Sequence, residues 1–122
     1  MLQILEESKG DLFAVQLSAH IDKQDYDLML PMLEEKIKQH GKIHVFVEVV
    51  DMKDVSLEAL WEEIKFDFRH AADYGKVAVV GEAKWLDWLS LAASPFTTAR
   101  IKHFTPNQRL HALNWVKEKE EA

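Results

Sequence analysis

Glu48 stands in the middle of an almost continuously apolar run, KIHVFVEVVD, from Lys42 to Asp51. Burial disfavours the charged form of a carboxyl group, so a carboxyl held inside a sheet could work as a general acid or base. The competing reading is a carboxylate that is hydrogen-bonded or turned to water and serves the fold alone. Asp51 and Asp54 follow the carboxyl end of the same run, where open α/β sheets place their sites. Two neighbouring carboxylates specify no reaction by themselves. Ser56, Ser90 and Ser94 have no GxSxG around them and no base close in sequence. Among six histidines, His40 and His44 are four apart, but a helix end and a strand divide them; neither HExxH nor a ligand-spaced carboxylate cluster occurs. Gly75 and Gly81 flank a strand and form neither GxGxxG nor a phosphate loop. The chain contains no cysteine. The residues therefore predict no catalytic centre, no metal and no cofactor; an enzyme using Glu48 or the Asp51–Asp54 loop on a lipophilic substrate ranks last.

A second kind of chemistry is apolar. The segment KWLDWLSLAASPF, Lys84 to Phe96, carries two tryptophans and a phenylalanine in thirteen positions. At about 100° per residue, Lys84, Asp87, Ser90 and Ser94 share one arc, while Trp85, Leu86, Trp88, Leu89, Ala92 and Ala93 fill about 160° opposite. A helix covering a sheet needs a stripe of about 100°. The preceding predicted helix has a similar stripe through Leu57, Leu60, Trp61, Ile64, Phe68 and Ala71. The surplus must meet something: the facing helix, an apolar ligand, a partner protein, a second copy in a homodimer, or a bilayer surface. Tryptophan suits the last, because its ring is apolar while its N–H stays wet. The candidate apolar or membrane-binding residues are Leu60, Trp61, Ile64, Phe68, Trp85, Trp88, Leu89 and Phe96. Basic neighbours Lys65, Arg69, Lys76, Lys84, Arg100 and Lys102 would favour anionic headgroups.

Charge limits the partners. The 122 residues carry 15 Lys+Arg against 21 Asp+Glu, a net −6, which argues against nucleic acid. Between Lys65 and Arg109 seven cations face four carboxylates, a local +3, so the remainder holds −9. The start, MLQILEESKGD, has neither a basic opening nor an apolar run of signal length, and no stretch is apolar for eighteen residues. The expectation is a cytoplasmic protein, peripheral at the inner membrane where the aromatic helices engage it.

These residues must be positioned by a small set of elements. Leu2–Glu7 and Asp11–Ile21 read as a hairpin around Ser8-Lys9-Gly10. A helical pattern runs from Asp22, its N-cap, to about His40, with Tyr26, Met29, Leu30, Leu33 and Ile37 at helical spacing. Pro31 should kink it or mark a late start, and Gly41 ends it. Lys42–Asp51 and Gly75–Gly81 read as strands covered on both faces. Between them lies the second helix, capped by Asp54 or Ser56. The third helix, Lys84–Ala93, closes at Pro95. Ala99–Phe104 is a short strand, and TPNQ (Thr105–Gln108) opens a last helix with Thr, Pro and Gln in capping positions. The order β-β-α-β-α-β-α-β-α predicts one α/β domain over residues 1–122, with a five-stranded, mostly parallel sheet, one antiparallel strand and four helices.

The stretches DYDLMLPMLEEKIKQHGKIHVFVEV, LEALWEEIKFDFRH, GKVAVVGEAKWLDWL and IKHFTPNQRLHALNWV resemble the SpoIIAA-like family of small stand-alone bacterial proteins. That fold is shared by STAS domains and by CRAL-TRIO lipid carriers. STAS domains of the anti-anti-sigma type carry a phosphorylated serine in an Asp-Ser-Ser-Gly motif. Here the matching stretch is DMKDVSLEAL, where Ser56 lies near that serine but the second Ser and the Gly are missing. The resemblance to CRAL-TRIO carriers implies an apolar ligand held beneath helices and exchanged at membranes, in accord with the aromatic stripes. Two functions follow. The first is a non-catalytic carrier or binder of an apolar small molecule or lipid, with reversible membrane-surface association. The alternative is a STAS-like protein–protein interaction module in bacterial signalling, with Ser56, Asp51 and Asp54 as the contact.

Overall fold

The computed structural model describes residues 2–51, 74–82 and 100–118. Five strands, β1 (Leu2–Ile4), β2 (Leu12–Ser18), β3 (Ile43–Val50), β4 (Tyr74–Val80) and β5 (Arg100–Phe104), form one sheet in the order β1-β2-β3-β4-β5. β1 pairs antiparallel with β2, and every later pairing is parallel. The mixed α/β sheet is the one predicted. Two helices are described, α1 (Lys23–His40) and α2 (Arg109–Lys117); the second and third predicted helices lie outside the described residues.

Local signals set the helix ends. Asp22 and Asp25 cap α1 reciprocally: Asp25 N–H donates to Asp22 Oδ1 at 3.2 Å and Asp22 N–H to Asp25 Oδ2 at 3.1 Å. Gly41 stops it with φ 79° while its N–H donates to the Ile37 carbonyl at 2.7 Å. Pro31 delays nothing, since α1 begins eight residues earlier at Lys23; the proline sits on the exposed side. At α2, Thr105 N–H donates to Gln108 Oε1 at 3.1 Å, and Pro106–Gln108 form a 3-10 turn before the α-helix proper. The last helix therefore starts later than its capping residues suggest.

Alternation along the strands creates a core on each face of the sheet. Phe13, Val15, Ile43 and Val45 pack with Leu33 and Ile37 of α1. Leu12, Ala14, Phe46, Ala78, Val80 and Phe104 pack with Ala112, Leu113 and Val116 of α2. The parallel register is broken once, between β3 and β4. Ile43 pairs with Tyr74 but Val45 with Val77, so Gly75 and Lys76 together oppose His44. This bulge switches the phase of β4. Tyr74 lies in the α1 core, yet Lys76, two residues on, reaches the end of α2.

Candidate functional site

Gln16 and Glu48 are register partners on neighbouring strands, on the side of the sheet that α2 covers. Both interrupt apolar alternation, and the structure joins them: Gln16 Nε2–H donates to Glu48 Oε1 at 2.8 Å. The other carboxylate oxygen accepts from Arg109 Nε–H, also at 2.8 Å. Arg109 opens α2, and its Nη2 reaches Glu7 Oε2, in the β1–β2 connection, at 3.4 Å. Its guanidinium carbon lies 5.4 Å from the centre of the Phe46 ring, within cation–π range. Side-chain exposures of 14% for Glu48 and 36% for Arg109 place the pair at the edge of the interior.

The arrangement holds three pieces of chain at once. Glu48 belongs to the central strand, Arg109 to α2, and Glu7 to the turn that follows β1. Each Glu48 oxygen already accepts a hydrogen bond, one of them charge-assisted. Held from both sides by Gln16 and Arg109, the carboxylate acts as a clamp between strand and helix. Sequence reasoning singled out Glu48 but missed Gln16, Glu7 and Arg109. The available signal was polar residues at matching positions of two apolar strands; nothing local pointed to Arg109.

A second polar assembly surrounds the bulge. His44 N–H donates to the Asp11 carbonyl at 2.8 Å, and His44 Nδ1 accepts from Lys76 N–H at 2.9 Å. The ring lies directly over Gly75, where a built Cβ would be 2.5 Å from His44 Cε1. Lys76 is 3% exposed, and its Nζ donates to the carbonyls of Trp115 and Glu118 at 3.1 and 3.0 Å. These are end-of-helix carbonyls, the Trp115 one shared with the Glu118 N–H at 3.3 Å, and the cation complements the negative end of α2. This corrects the expectation that Lys76 is a surface cation for headgroups: its charge is buried and engaged inside the fold.

Of the candidate contact residues, Leu60, Trp61, Ile64, Phe68, Trp85, Trp88, Leu89, Phe96, Ser56 and Asp54 lie outside the described residues. Asp51 is exposed just past β3, with φ 48°. Where the two aromatic segments begin is defined. β3 and β4 are adjacent and parallel, with Glu48 in register with Val80, so the two strands end at the same edge of the sheet, at Val50 and Val80. Among the described residues, no helix is long and apolar enough to cross a membrane, and no three His, Asp or Glu converge as metal ligands.

A family model described as SpoIIAA-like matches residues 12–117, nearly the whole of this sheet and both helices. The chain belongs to the SpoIIAA-like family. Its fold is similar to the crystal structure of an uncharacterized protein of the DUF3478 family with a SpoIIAA-like fold, from Shewanella loihica PV-4. The TM-score is 0.67 at 23% identity, over 94% of this chain and 93% of that one. No curated protein matches the sequence significantly. In this SpoIIAA-like chain the clamp residues Gln16, Glu48 and Arg109 all fall inside the matched span.

Proposed function

We propose that this SpoIIAA-like protein is a non-catalytic binding module that holds an apolar small molecule or lipid between the two segments that follow β3 and β4. The observation that carries the reading is their common origin: both leave the carboxyl edge of adjacent parallel strands, where open α/β sheets bind ligands. The sequence predicts for each segment a helix with more apolar width than sheet coverage requires, through Trp61, Ile64 and Phe68 in one and Trp85, Trp88 and Leu89 in the other. The engagement of both Glu48 oxygens supports binding over acid–base chemistry. Membrane-surface association through the same tryptophans is part of the proposal.

The test is tryptophan emission of the purified protein titrated with neutral and anionic vesicles, beside a Trp85→Ala/Trp88→Ala variant. A blue shift that saturates with lipid and vanishes in the variant supports the reading. Emission already blue in buffer, and unmoved by either lipid, sinks it. Family membership is also consistent with a second reading, a STAS-like protein–protein interaction module, whose contacts in this proposal are Asp51, Asp54 and Ser56. Unchanged partner binding by Ser56→Ala and Ser56→Asp would remove Ser56 from that role.

A further inference from the structure

Two exposed cations, Arg100 and Lys102, lie along the α2 side of β5. This strand is last in the sheet order, and no described residue pairs with its outer edge. Arg100 and Lys102 are in register with Lys76 and Ala78 of β4, which face α2. Both cations are exposed, whereas Phe104 at the strand's end is 2% exposed. Lys102 Nζ rests 5.3 Å from the centre of the Phe104 ring and 5.8 Å from that of Trp115. Lys76 Nζ lies 5.3 Å from the Trp115 ring and bonds only main-chain carbonyls. Among the described residues, neither lysine has a carboxylate partner, in a chain whose net charge is −6.

We propose that this edge docks an extended acidic segment of a partner protein, which adds to β5 as a sixth strand. The inference is independent of the segments that follow β3 and β4. Strand addition satisfies the open backbone groups, and alternate side chains of the incoming strand give specificity. Every second incoming residue would stand opposite Arg100 or Lys102, with Cβ atoms about 5 Å apart, where unlike charges attract and like charges repel. A second copy is a poor occupant. Antiparallel pairing of two β5 strands centred on Lys102 opposes the two lysines, and centring it on Ile101 opposes Lys102 to Arg100. An acid at alternate positions turns that same repulsion into recognition.

The test uses the full chain and three fluorescein-labelled peptides read by anisotropy. The first is Thr-Glu-Val-Glu-Val-Glu-Thr, the second has lysine in place of each glutamate, and the third has proline in place of each valine. Proline keeps the charge but removes the N–H groups that a strand must donate. The acidic peptide should bind roughly tenfold more tightly than either other peptide, a preference that Lys102→Gln weakens and Lys102→Glu transfers to the lysine peptide. Lys102 is exposed, so both variants should retain the circular dichroism of the parent chain. Equal binding of the acidic and proline peptides, no binding of the acidic peptide, or indifference to Lys102→Glu would each overturn the proposal. Anionic vesicles that bind through Lys102 while no peptide does would overturn it too, assigning the strip to lipid headgroups.

Discussion

Glu48 and Arg109, sixty-one residues apart in sequence, are joined by a 2.8 Å bond from Arg109 Nε–H to Glu48 Oε2. The contact ties the central strand to the first turn of α2, and through Glu7 to the β1–β2 connection. Its stabilising value lies in satisfying a carboxylate whose side chain is 14% exposed. Coulomb attraction adds little at an arginine that water reaches. Arg109→Leu should therefore cost about 1–3 kcal/mol, most of it from the oxygen left unpaired. Glu48→Leu/Arg109→Leu together should cost less than the sum of the single changes. Urea denaturation of the four proteins checks this, and strict additivity would mean that the two residues are not coupled.

The bulge predicts a second coupling. At Gly75 a new Cβ would lie 2.5 Å from His44 Cε1 and 2.7 Å from Nδ1, so Gly75→Ala must displace the ring. The Lys76 N–H then loses its acceptor, and overpacking adds strain; the expected loss is about 1–3 kcal/mol. In a His44→Ala background the same Gly75→Ala change should cost much less, because the obstructing ring is gone. Thermal unfolding of the cycle decides it.

Lys76→Met keeps the aliphatic stem but removes the donors to the Trp115 and Glu118 carbonyls. Relief from burying a cation opposes the loss of two charge-assisted bonds. Because those bonds reinforce the last turn of α2, which the Glu118 N–H closes onto the Asn114 and Trp115 carbonyls, the loss should prevail by about 1–2 kcal/mol. Hydrogen exchange should quicken in that turn and leave α1 unchanged. Equal protection in both proteins would show that α2 closes without the lysine.

One substitution should stabilise. Ala19, just past β2, has φ 56°, a region in which a Cβ is unfavourable. Ala19→Gly removes that cost but frees the unfolded chain, so the net gain should be no more than about 1 kcal/mol. A lower melting temperature for this variant would refute the strain at that position.

What the sequence alone determined are features whose causes are local. Asp22 and Gly41 bound α1 because capping needs only groups within a turn of each end. The strands were legible because alternating or continuous apolar character reports how many faces are covered. Pro31 misled as a late start, since α1 begins at Lys23 and an exposed proline within this 18-residue helix leaves its buried face at Tyr26, Leu33 and Ile37 intact. Tertiary structure decided the rest. Glu48 could be read as an acid, a base or a surface carboxylate until Arg109 arrived from sixty-one residues away to occupy it. Lys76 looked like a surface cation until the bulge turned it beneath α2, opposite in phase to Tyr74. Spacing along a chain shows which residues share an element, but a polar group's partner depends on which elements the sheet brings together, and no local pattern encodes that.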